Sequence, residues 1–530
     1  MQTVTYANPI SAPTFWGLLK KRVAETPDAP MLVDQSGASM SFGEYACNAA
    51  HLAAWLFEQG VRSGSRVTWQ FPTTLGGAVL VAALARIGAQ QNPIIHLYRE
   101  HEIRQVLIQN CPEFFIIPEE AGERDFRAMA ESVSKELNPA PRVIPLPSVL
   151  PIGDPGILEK ASGNGDSASW VFYTSGTTAA PKGALHTDLS VMTAGRGLAT
   201  SYQFSNDDVG TIAYPIAHIG GPMYLAMLMI SGGSALLMDR FSPTDAIVLF
   251  NKYRVTVSGG STAHYLGFLN EQARHPGKRL YPTLRILGGG GSPKPPEVYA
   301  RGKLELGTTI CHSYGMTECP ALTLAPVTST DEQLAYADGV PREDLEVRIV
   351  DRIGRIVTAG SEGEIRVRGK GIFLGYTDSS LNTEAFDPEG FYRTGDLGVL
   401  REDGYLMVTG RLKDIIIRKG ENVSAKEIED LLCAHPKISD AAVIGVPDVD
   451  RGERICAVVE LRHGVKVLEF SEMVGYLKRV GIMQQKIPEQ LEVMEKLPRN
   501  DTFNKILKNK LREQFADSLG GTTVLKTVDL

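Results

Sequence analysis

This 530-residue sequence is poor in cysteine, in long apolar runs and in clustered positive charge. Its six cysteines are scattered without a Cys-x-x-Cys pair, which argues against a disulfide framework or a zinc site and favours reduced thiols in a cytoplasmic protein. Residues 1–13 are polar, so no signal peptide is expected. The apolar stretches 75–89 and 219–230 are shorter than the roughly 20 residues that span a bilayer, so buried helices rather than transmembrane segments are expected.

Positive and negative charges are nearly balanced along the chain. Lys and Arg number 54 against 61 Asp and Glu, a formal net charge of −7 without a basic block, which argues against a nucleic-acid partner. Hydrophobic residues make up 43% and charged residues 22%, an ordinary globular composition. A chain of 530 residues is longer than a single hydrophobic core can organise, so about two to four structural units are expected. A homo-oligomer is compatible with this composition.

The most informative stretch is a loop rich in Thr, Ser and Gly that follows a short apolar strand at 169–173. Such a loop can turn backbone N–H groups and hydroxyls onto polyphosphate oxygens, because no bulky side chain blocks the approach, and Lys182 adds a positive charge. It differs from a Walker loop, since Pro181 precedes the lysine and Gly183 follows it. A nucleotide-phosphate site is therefore indicated, with an ordinary strand-to-helix loop as the alternative.

Short strands alternate with helical patterns through the first 330 residues, which is typical of an α/β domain with mainly parallel sheets. Segments 209–214, 283–287 and 308–312 are each predicted as a strand that runs into a loop rich in Gly or hydroxyl residues. Ligands of open α/β sheets bind outside the carboxyl ends of the strands, so these loops are expected to wall one site. His218 follows the first of these segments, either as a pocket residue or as a satisfied core histidine.

Beyond residue 330 the pattern changes to alternating strands with Gly-containing turns, which indicates a β-rich subdomain. A capping box at Ser424 and Glu427 then opens a helix of a compact α+β module. The predicted fold is a large α/β N-terminal domain, with two mainly parallel sheets layered with helices, joined by a hinge to a small α+β domain. The predicted bounds are 1–410 for the N-terminal domain, 330–410 for its β-rich subdomain, 411–414 for the hinge and 415–530 for the mobile C-terminal domain.

Five features in this order resemble the adenylate-forming superfamily of acyl-CoA synthetases, luciferases and peptide-synthetase adenylation domains. The resemblance covers nearly the whole chain, and five matches in sequence make coincidence very improbable. The features are Thr-Ser-Gly-Thr-Thr-Ala-Ala-Pro-Lys-Gly at 174–183, Tyr-Gly-Met-Thr-Glu at 314–318, Tyr-Arg-Thr-Gly-Asp at 392–396, Gly-Arg-Leu-Lys-Asp at 410–414, and Lys505.

The resemblance implies an AMP-forming acyl-CoA ligase that uses ATP, Mg²⁺ and CoA. A carboxylate attacks the α-phosphorus, pyrophosphate leaves, and the CoA thiol then displaces AMP, so positioning and charge neutralisation are most of the catalysis. In the nucleotide site, the resemblance implies that Thr174, Ser175, Gly176, Thr177, Thr178 and Lys182 bind the leaving phosphates, Thr317 the α-phosphate and Glu318 the Mg²⁺. Tyr314 would bind adenine, with Gly289, Gly290, Ser292 and His312 also in the nucleotide site, Asp396 would bind the ribose, and Arg411 would bind ribose or phosphate. Lys505 and His218 would act on the reacting carboxylate, His218, Gly220, Gly221 and Gly260 would line the acyl pocket, Lys419 and Gly420 would bind CoA, and Lys413 would be the hinge.

Three positions depart from the pattern of that superfamily. Ala179 and Lys419 each replace a usual glycine, and no glycine precedes Lys505, where the segment is one residue longer. Lys508 is therefore the alternative to Lys505. Glu318 as a surface residue at a helix start, and Asp396 as a turn cap, are the structural alternatives to their catalytic roles.

The substrate and the acceptor follow less directly from the sequence. Glycines around the expected pocket, and the absence of Lys or Arg from its loops, predict an apolar medium-length or alicyclic carboxylic acid. Free CoA is the expected acceptor, because only about twenty residues follow the Lys505 segment and its helix, too few for a carrier domain. The alternatives are a stand-alone adenylation enzyme that loads a separate carrier protein, a luciferase-like oxygenase, and a non-catalytic adenylate-binding regulator.

Overall fold

The computed structural model describes residues 11–120, 124–159, 163–174, 181–418, 421–448, 451–462, 464–465, 467–500 and 505–515. Among these residues, no helix combines the length and the apolar character needed to cross a membrane. The apolar stretch at 75–89 forms the helix Leu75–Ile87, capped by Thr74 and ended by Gly88 in the left-handed region. Its side chains from Ala78 to Leu84 are buried, as expected of a core helix.

The largest sheet has seven strands. Five of them, from Ala168–Thr174 to the edge strand Arg142–Leu146, are parallel to one another. Thr174 pairs with Lys182 across an antiparallel ladder, so the Thr/Ser/Gly-rich loop joins two strands rather than a strand and a helix. In spatial order the strands are Gly375–Tyr376, Lys182–Thr187, Ala168–Thr174, Gln90–Ile95, Arg66–Phe71, Phe114–Pro118 and Arg142–Leu146.

A second, mainly parallel layer consists of a four-stranded and a three-stranded sheet joined at Val209, whose carbonyl accepts the N–H of Thr256. Two mainly parallel sheets were predicted, and this is confirmed. The four-stranded order is Ser39–Ser41, Pro30–Asp34, Ser234–Leu237 and Val209–Ile212, and the three-stranded order is Val257–Gly260, Ile286–Gly290 and Thr309–Ser313.

The strand expected at 283–287 lies further along the chain, at Ile286–Gly290, and includes three of the glycines assigned to a loop. A Cβ on Gly289 would lie 2.0 Å from the Gly260 carbonyl oxygen, and one on Gly290 would lie 2.1 Å from that of Ser313. Three parallel strands approach one another closely here, which requires residues without side chains.

Helices cover both faces of these sheets and contribute most of the main hydrophobic core. The apolar stretch at 219–230 forms one of them, as expected. The helices of this part are Phe15–Glu25, Phe42–Glu58, Leu75–Ile87, Glu100–Asn110, Phe126–Ser134, Asp188–Tyr202, Gly220–Ser231, Pro243–Tyr253, Thr262–Ala273, Pro296–Arg301, Asp331–Tyr336 and Asn382–Ala385.

A four-stranded antiparallel sheet occupies the segment predicted as β-rich, with its own hydrophobic cluster. Its neighbouring strands are Leu345–Val350, Glu362–Gly369, Tyr392–Leu400 and Leu406–Arg411. Beside it, Thr323–Leu324 and Val340–Pro341 form a two-stranded ladder.

The C-terminal part has two separate cores of its own around a five-stranded sheet. Ser424 caps the helix Ala425–Cys433 by accepting the N–H of Glu427, but the Glu427 carboxylate pairs with Lys486 at 2.6 Å instead of completing the capping box. The strands are Glu421–Ser424, Ile415–Arg418, Gly452–Leu461, Ile438–Asp448 and Gln490–Met494, and the helices are Ala425–Cys433, Phe470–Val480 and Lys508–Phe515.

Candidate active site

Six of the predicted site residues lie outside the described part of the chain, and their roles stay predictions. They are Ser175, Gly176, Thr177, Thr178, Lys419 and Gly420. The strand ends that hold the first four are described, and Thr174 and Lys182 lie opposite each other there. The Lys182 ammonium lies 5.3 Å from the centre of the Tyr376 ring, which places a positive charge at the mouth of this loop.

Asp396 is the centre of a hydrogen-bonded cluster that joins three of the predicted motifs. The Tyr314 hydroxyl donates to Asp396 Oδ2 at 2.6 Å, and Arg411 Nε lies 3.0 Å from Oδ1. Burial, together with the charge of Asp396, raises the pKa of Tyr314, so its hydroxyl stays protonated. A carboxylate has about four lone-pair sites, so Asp396 can accept two further hydrogen bonds, as binding to a ribose diol requires.

Glu318 is only 8% exposed, so the alternative that it is a surface residue at a helix start is wrong. Its Oε1 accepts the Tyr376 hydroxyl at 2.7 Å, and its backbone carbonyl accepts the N–H of Phe373 at 2.8 Å. The Tyr392 hydroxyl lies 3.3 Å from that of Tyr376. A buried carboxylate held at one oxygen and at its own backbone has little freedom to move.

Thr317 is positioned through its backbone by a histidine that the motifs did not identify. His186 Nε2 lies 2.8 Å from the Thr317 carbonyl oxygen, and its Nδ1 lies 2.9 Å from Ser190 Oγ. Burial lowers the pKa of His186 to about 3, so the ring is neutral and its Nε2 carries the proton that it donates to the carbonyl. Arg342 holds the same loop further on by donating to the Pro320 carbonyl at 2.6 Å.

His312 lies next to the glycine-containing strand Ile286–Gly290. Gly289 pairs with His312 and Gly290 with Ser313 in the parallel ladder, and Tyr265 contacts the His312 ring. Burial and then the charge of Lys294 lower the pKa of His312 to about 3, so this ring is also neutral. Ser292 follows the strand and hydrogen-bonds through its backbone to the same ring.

His218 lines a narrow cleft whose other residues are mostly apolar, together with the hydroxyl-bearing residues Thr317, Tyr98 and Tyr173. The backbone N–H of Gly220 donates to His218 Nδ1 at 3.0 Å, and burial lowers the pKa of the ring to about 4. The chain therefore brings His218 and Thr317 to one opening. The residues around it are Pro93, Ile94, Ile95, Tyr98, Phe172, Tyr173, Ala217, His218, Ile219 and Thr317.

The glycines predicted to leave space for an acyl group have different surroundings. Gly220 borders the His218 ring, since a Cβ there would lie 3.1 Å from Nδ1. A Cβ on Gly221 would lie 2.1 Å from the Ile216 carbonyl oxygen, and one on Gly260 would lie 2.8 Å from the His264 ring. At the last two glycines, protein atoms occupy the position that a side chain would take, so the missing side chain accommodates the protein itself.

Lys505 and Lys508 have distinct environments, although they are three residues apart. Burial, and then the charge of Arg411, lower the pKa of Lys505 to about 8, while the charge of Asp396 acts in the opposite direction. Lys508 instead forms an ion pair of 2.7 Å with Glu429 inside the C-terminal part. Lys505 is therefore the lysine that lies beside the Asp396 cluster.

The predicted hinge residue Lys413 lies in a 3-10 turn, Leu412–Asp414, between the two parts of the chain. Burial and the charge of Arg411 lower its pKa. Asp414, the last residue of the turn, forms an ion pair of 2.8 Å with Arg512 of the C-terminal helix. This ion pair ties the end of the turn to the C-terminal part.

Several residues of this site were missed by the sequence reasoning. Tyr376, His186 and Lys294 belong to none of the five motifs, and Tyr392 was part of a motif without an assigned role. Lys294 is buried, donates to the Ala335 carbonyl at 2.8 Å and has its pKa lowered to about 8 by burial. Buried polar residues beside a motif could have been suspected, but their partners are distant in sequence.

The chain is similar to known proteins over most of its length. The profile of the AMP-binding enzyme family matches residues 19–377, and that of the AMP-binding enzyme C-terminal domain matches residues 427–504. The chain is 31% identical over 515 residues to the medium-chain fatty-acid–CoA ligase of Escherichia coli strain K12, covering 92% of this chain and 88% of that protein.

Two further proteins are similar over most of their length. The salicyl-AMP ligase / salicyl-S-ArCP synthetase of Mycobacterium tuberculosis strain H37Rv is 31% identical over 520 residues, covering 94% of this chain and 89% of that protein. The crystal structure of ATP-bound MatB from Rhodopseudomonas palustris superimposes with a TM-score of 0.85 at 27% identity, covering 95% of this chain and 99% of that one.

Proposed function

The chain belongs to the adenylate-forming superfamily of AMP-binding enzymes as an AMP-forming acid–CoA ligase, and we propose that it activates an apolar, medium-length or alicyclic carboxylic acid. In the first half-reaction a carboxylate oxygen attacks the α-phosphorus of ATP, the bond to the β-phosphate breaks, and pyrophosphate leaves. In the second, the sulfur of CoA attacks the acyl carbonyl and AMP leaves with the electron pair of the broken C–O bond.

The observation that carries the adenylation step is the cluster of Tyr314, Asp396 and Arg411, whose charged groups act on Lys505. Asp396 would accept the ribose hydroxyls, and Tyr314, whose hydroxyl fixes Asp396, would offer its ring face to adenine. The Lys505 ammonium would stabilise the charge that develops between the carboxylate and the α-phosphate. These assignments use groups that three separate motifs bring together in space.

Glu318 suits Mg²⁺, a hard cation that proteins usually bind through one or two carboxylates together with substrate phosphates. The Glu318 carboxylate is buried, its Oε1 is already oriented by Tyr376, and its remaining lone pairs are compatible with a metal contact. A bound Mg²⁺ would neutralise phosphate charge. Lys182, at the end of the phosphate loop, would add a second positive charge for the leaving pyrophosphate.

The preference for an apolar acid is supported by the residues around His218, most of which are aliphatic or aromatic. The cleft itself measures about 20 Å³ and must widen to admit an acyl chain. No Lys or Arg is among the described residues around that cleft, so a second carboxylate would find no charged partner among them. Burial lowers the pKa of His218 to about 4, so its ring is neutral and adds no positive charge to the cleft. Similarity to a medium-chain fatty-acid–CoA ligase points in the same direction.

A second candidate acceptor is a phosphopantetheine-bearing carrier protein, because one similar protein is named as a salicyl-S-ArCP synthetase. Purified enzyme should be assayed for ATP–pyrophosphate exchange with octanoate, cyclohexanecarboxylate, acetate and malonate, with Glu318→Ala as the inactive control. Exchange is expected with the first two acids, and preference for acetate or malonate would refute the apolar assignment. Thioester formation with CoA, compared with a pantetheinylated carrier at equal concentration, then identifies the acceptor.

A further inference from the structure

Tyr376 connects the two charged groups that the proposed reaction needs around the phosphates of ATP. Its hydroxyl lies 2.7 Å from Glu318 Oε1, and the face of its ring lies 5.3 Å from the Lys182 ammonium. The residue is buried, and its ring packs edge-on against Phe373, whose backbone N–H holds the Glu318 carbonyl. We propose that Tyr376 is a positioning residue that orients the Glu318 carboxylate for the divalent cation and the Lys182 ammonium for the phosphates, with Tyr392 setting the direction of its hydroxyl.

The direction of the hydrogen bonds follows from counting protons. A tyrosine hydroxyl has one proton, and an ionised carboxylate can only accept, so the Tyr376 proton points to Glu318 Oε1. The Tyr392 hydroxyl, 3.3 Å away, must then donate to the Tyr376 oxygen. Burial and the charge of Glu318 both raise the pKa of Tyr376, which keeps this donor protonated throughout the neutral range.

The hydrogen bonds from Tyr392 to Tyr376 and from Tyr376 to Glu318 limit the movement of the Glu318 carboxylate at the proposed metal site. Because Oε1 is occupied by Tyr376, the carboxylate can rotate little about its last bond, and its other lone pairs keep one direction. Partners that orient a metal-binding carboxylate typically change metal affinity or activity by roughly tenfold to a hundredfold when they are removed. Tyr392 acts on Glu318 only through Tyr376 in this arrangement, so its removal should matter only while the Tyr376 hydroxyl is present.

The ring of Tyr376 has a separate role from its hydroxyl. A lysine ammonium near an aromatic face is attracted by the ring, and the attraction is stronger where the pair is shielded from water. Tyr376→Phe keeps the ring and removes the hydroxyl, whereas Tyr376→Leu removes both. The two variants therefore separate the contact to Glu318 from the contact to Lys182.

The inference rests on the proposed adenylation, so the test includes a measurement that does not require turnover. Binding of Mn²⁺, a spectroscopic substitute for Mg²⁺, is measured by electron paramagnetic resonance in the presence of α,β-methylene-ATP. The variants are Tyr376→Phe, Tyr392→Phe, their double variant and Tyr376→Leu. The matched control is Tyr45→Phe, which removes a buried hydroxyl that donates to the Ala78 carbonyl at 2.8 Å, in a helix that carries none of the predicted site residues.

Tyr376→Phe should weaken Mn²⁺ binding about tenfold to a hundredfold, and Tyr392→Phe should weaken it less. The double variant should match Tyr376→Phe alone, because residues in one hydrogen-bonded chain are not additive. Tyr376→Leu should in addition weaken binding of the nucleotide analogue without metal. Tyr45→Phe should lower the melting temperature and leave Mn²⁺ binding unchanged.

Wild-type Mn²⁺ affinity in Tyr376→Phe, or additive losses in the double variant, would overturn the proposal. Failure of the proposed function gives a different result, since the wild-type enzyme would then bind the Mn²⁺–nucleotide complex but exchange no pyrophosphate with any acid. If Glu318→Gln binds Mn²⁺ as tightly as the wild type, Glu318 is not the metal ligand and the orienting role of Tyr376 is refuted with it.

Discussion

Replacing Lys505 by alanine should abolish most of the first half-reaction and spare the second. The ammonium lies beside the Asp396 cluster, and removing one preorganised donor of this kind costs about 2.7–4 kcal/mol, or roughly a hundredfold to a thousandfold in rate. ATP–pyrophosphate exchange measures the first step. Thioester formation from a supplied acyl-adenylate measures the second, which should stay within a fewfold of the wild type.

Lys508→Ala is the matched control, because that lysine is three residues away and pairs with Glu429. Both side chains of this pair are mostly buried, so removing one partner should cost about 3–5 kcal/mol of stability, seen as earlier thermal unfolding. Lys508→Met combined with Glu429→Gln removes both charges and should recover much of that loss. A selective loss of exchange in Lys508→Ala, with normal exchange in Lys505→Ala, would refute the assignment of the two lysines.

The pH dependence offers an independent check on Lys505. Burial lowers the pKa of this lysine to about 8, so the ammonium is nearly complete at pH 6.5, half lost near pH 8 and lost above it. The value of kcat/KM for adenylation should therefore fall as the pH rises through about 8. Lys505→Arg should lose this decline, because guanidinium stays charged. Lys294→Met should keep it, although the pKa of Lys294 is also lowered to about 8.

Three further variants test other parts of the site. Asp396→Asn should raise the KM for ATP about tenfold to a hundredfold, because hydrogen bonds to a charged acceptor are worth about 1.5–3 kcal/mol each. An unchanged KM together with a lower melting temperature would instead identify Asp396 as a turn cap. His186→Leu should slow pyrophosphate exchange and raise its Mg²⁺ requirement, because the Thr317 carbonyl loses its hydrogen bond. His186→Gln can still donate to that carbonyl and should keep most of the rate. Equal losses in both variants would contradict the positioning role of His186. Gly221→Ala should lower the free energy of unfolding by about 1–3 kcal/mol, measured with urea, because its Cβ would meet the Ile216 carbonyl. Gly220→Ala should cost less stability. A larger loss in Gly220→Ala than in Gly221→Ala would contradict the packing described.

Short motifs revealed part of this site because the chemistry needs particular residue types at fixed spacing. Tyr314, Thr317 and Glu318 lie in one turn after a strand, and Asp396 ends another motif, so all four could be named from sequence. The contacts that orient them could not. Glu318 and Tyr376 are 58 residues apart, and His186 and Thr317 are 131 residues apart, distances over which no local pattern operates.

The glycine residues also have surroundings that the sequence could not predict. A run of four glycines at 288–291 has the composition of a loop, yet three of them lie in a strand. At Gly289 and Gly290 a neighbouring backbone carbonyl lies within 2.1 Å of where a Cβ would be, and at Gly288 the Tyr202 hydroxyl lies within 2.3 Å. Gly221 could be interpreted as space for a substrate, and the structure fills that space with a carbonyl. A missing side chain shows that something comes close, without showing whether it is a ligand or the protein itself.

The sequence by itself therefore determined the α/β architecture, since periodicity is a local property, and the resemblance carried by its motifs indicated the family and the residues expected in the site. It left Lys505 and Lys508 as alternatives, because both are lysines near the same helix start. The tertiary structure gives the two lysines different surroundings, because the charges of Asp396 and Arg411 act on Lys505 whereas Lys508 pairs with Glu429. The charge that a side chain meets depends on which distant segments pack against it, and that is decided by the fold as a whole.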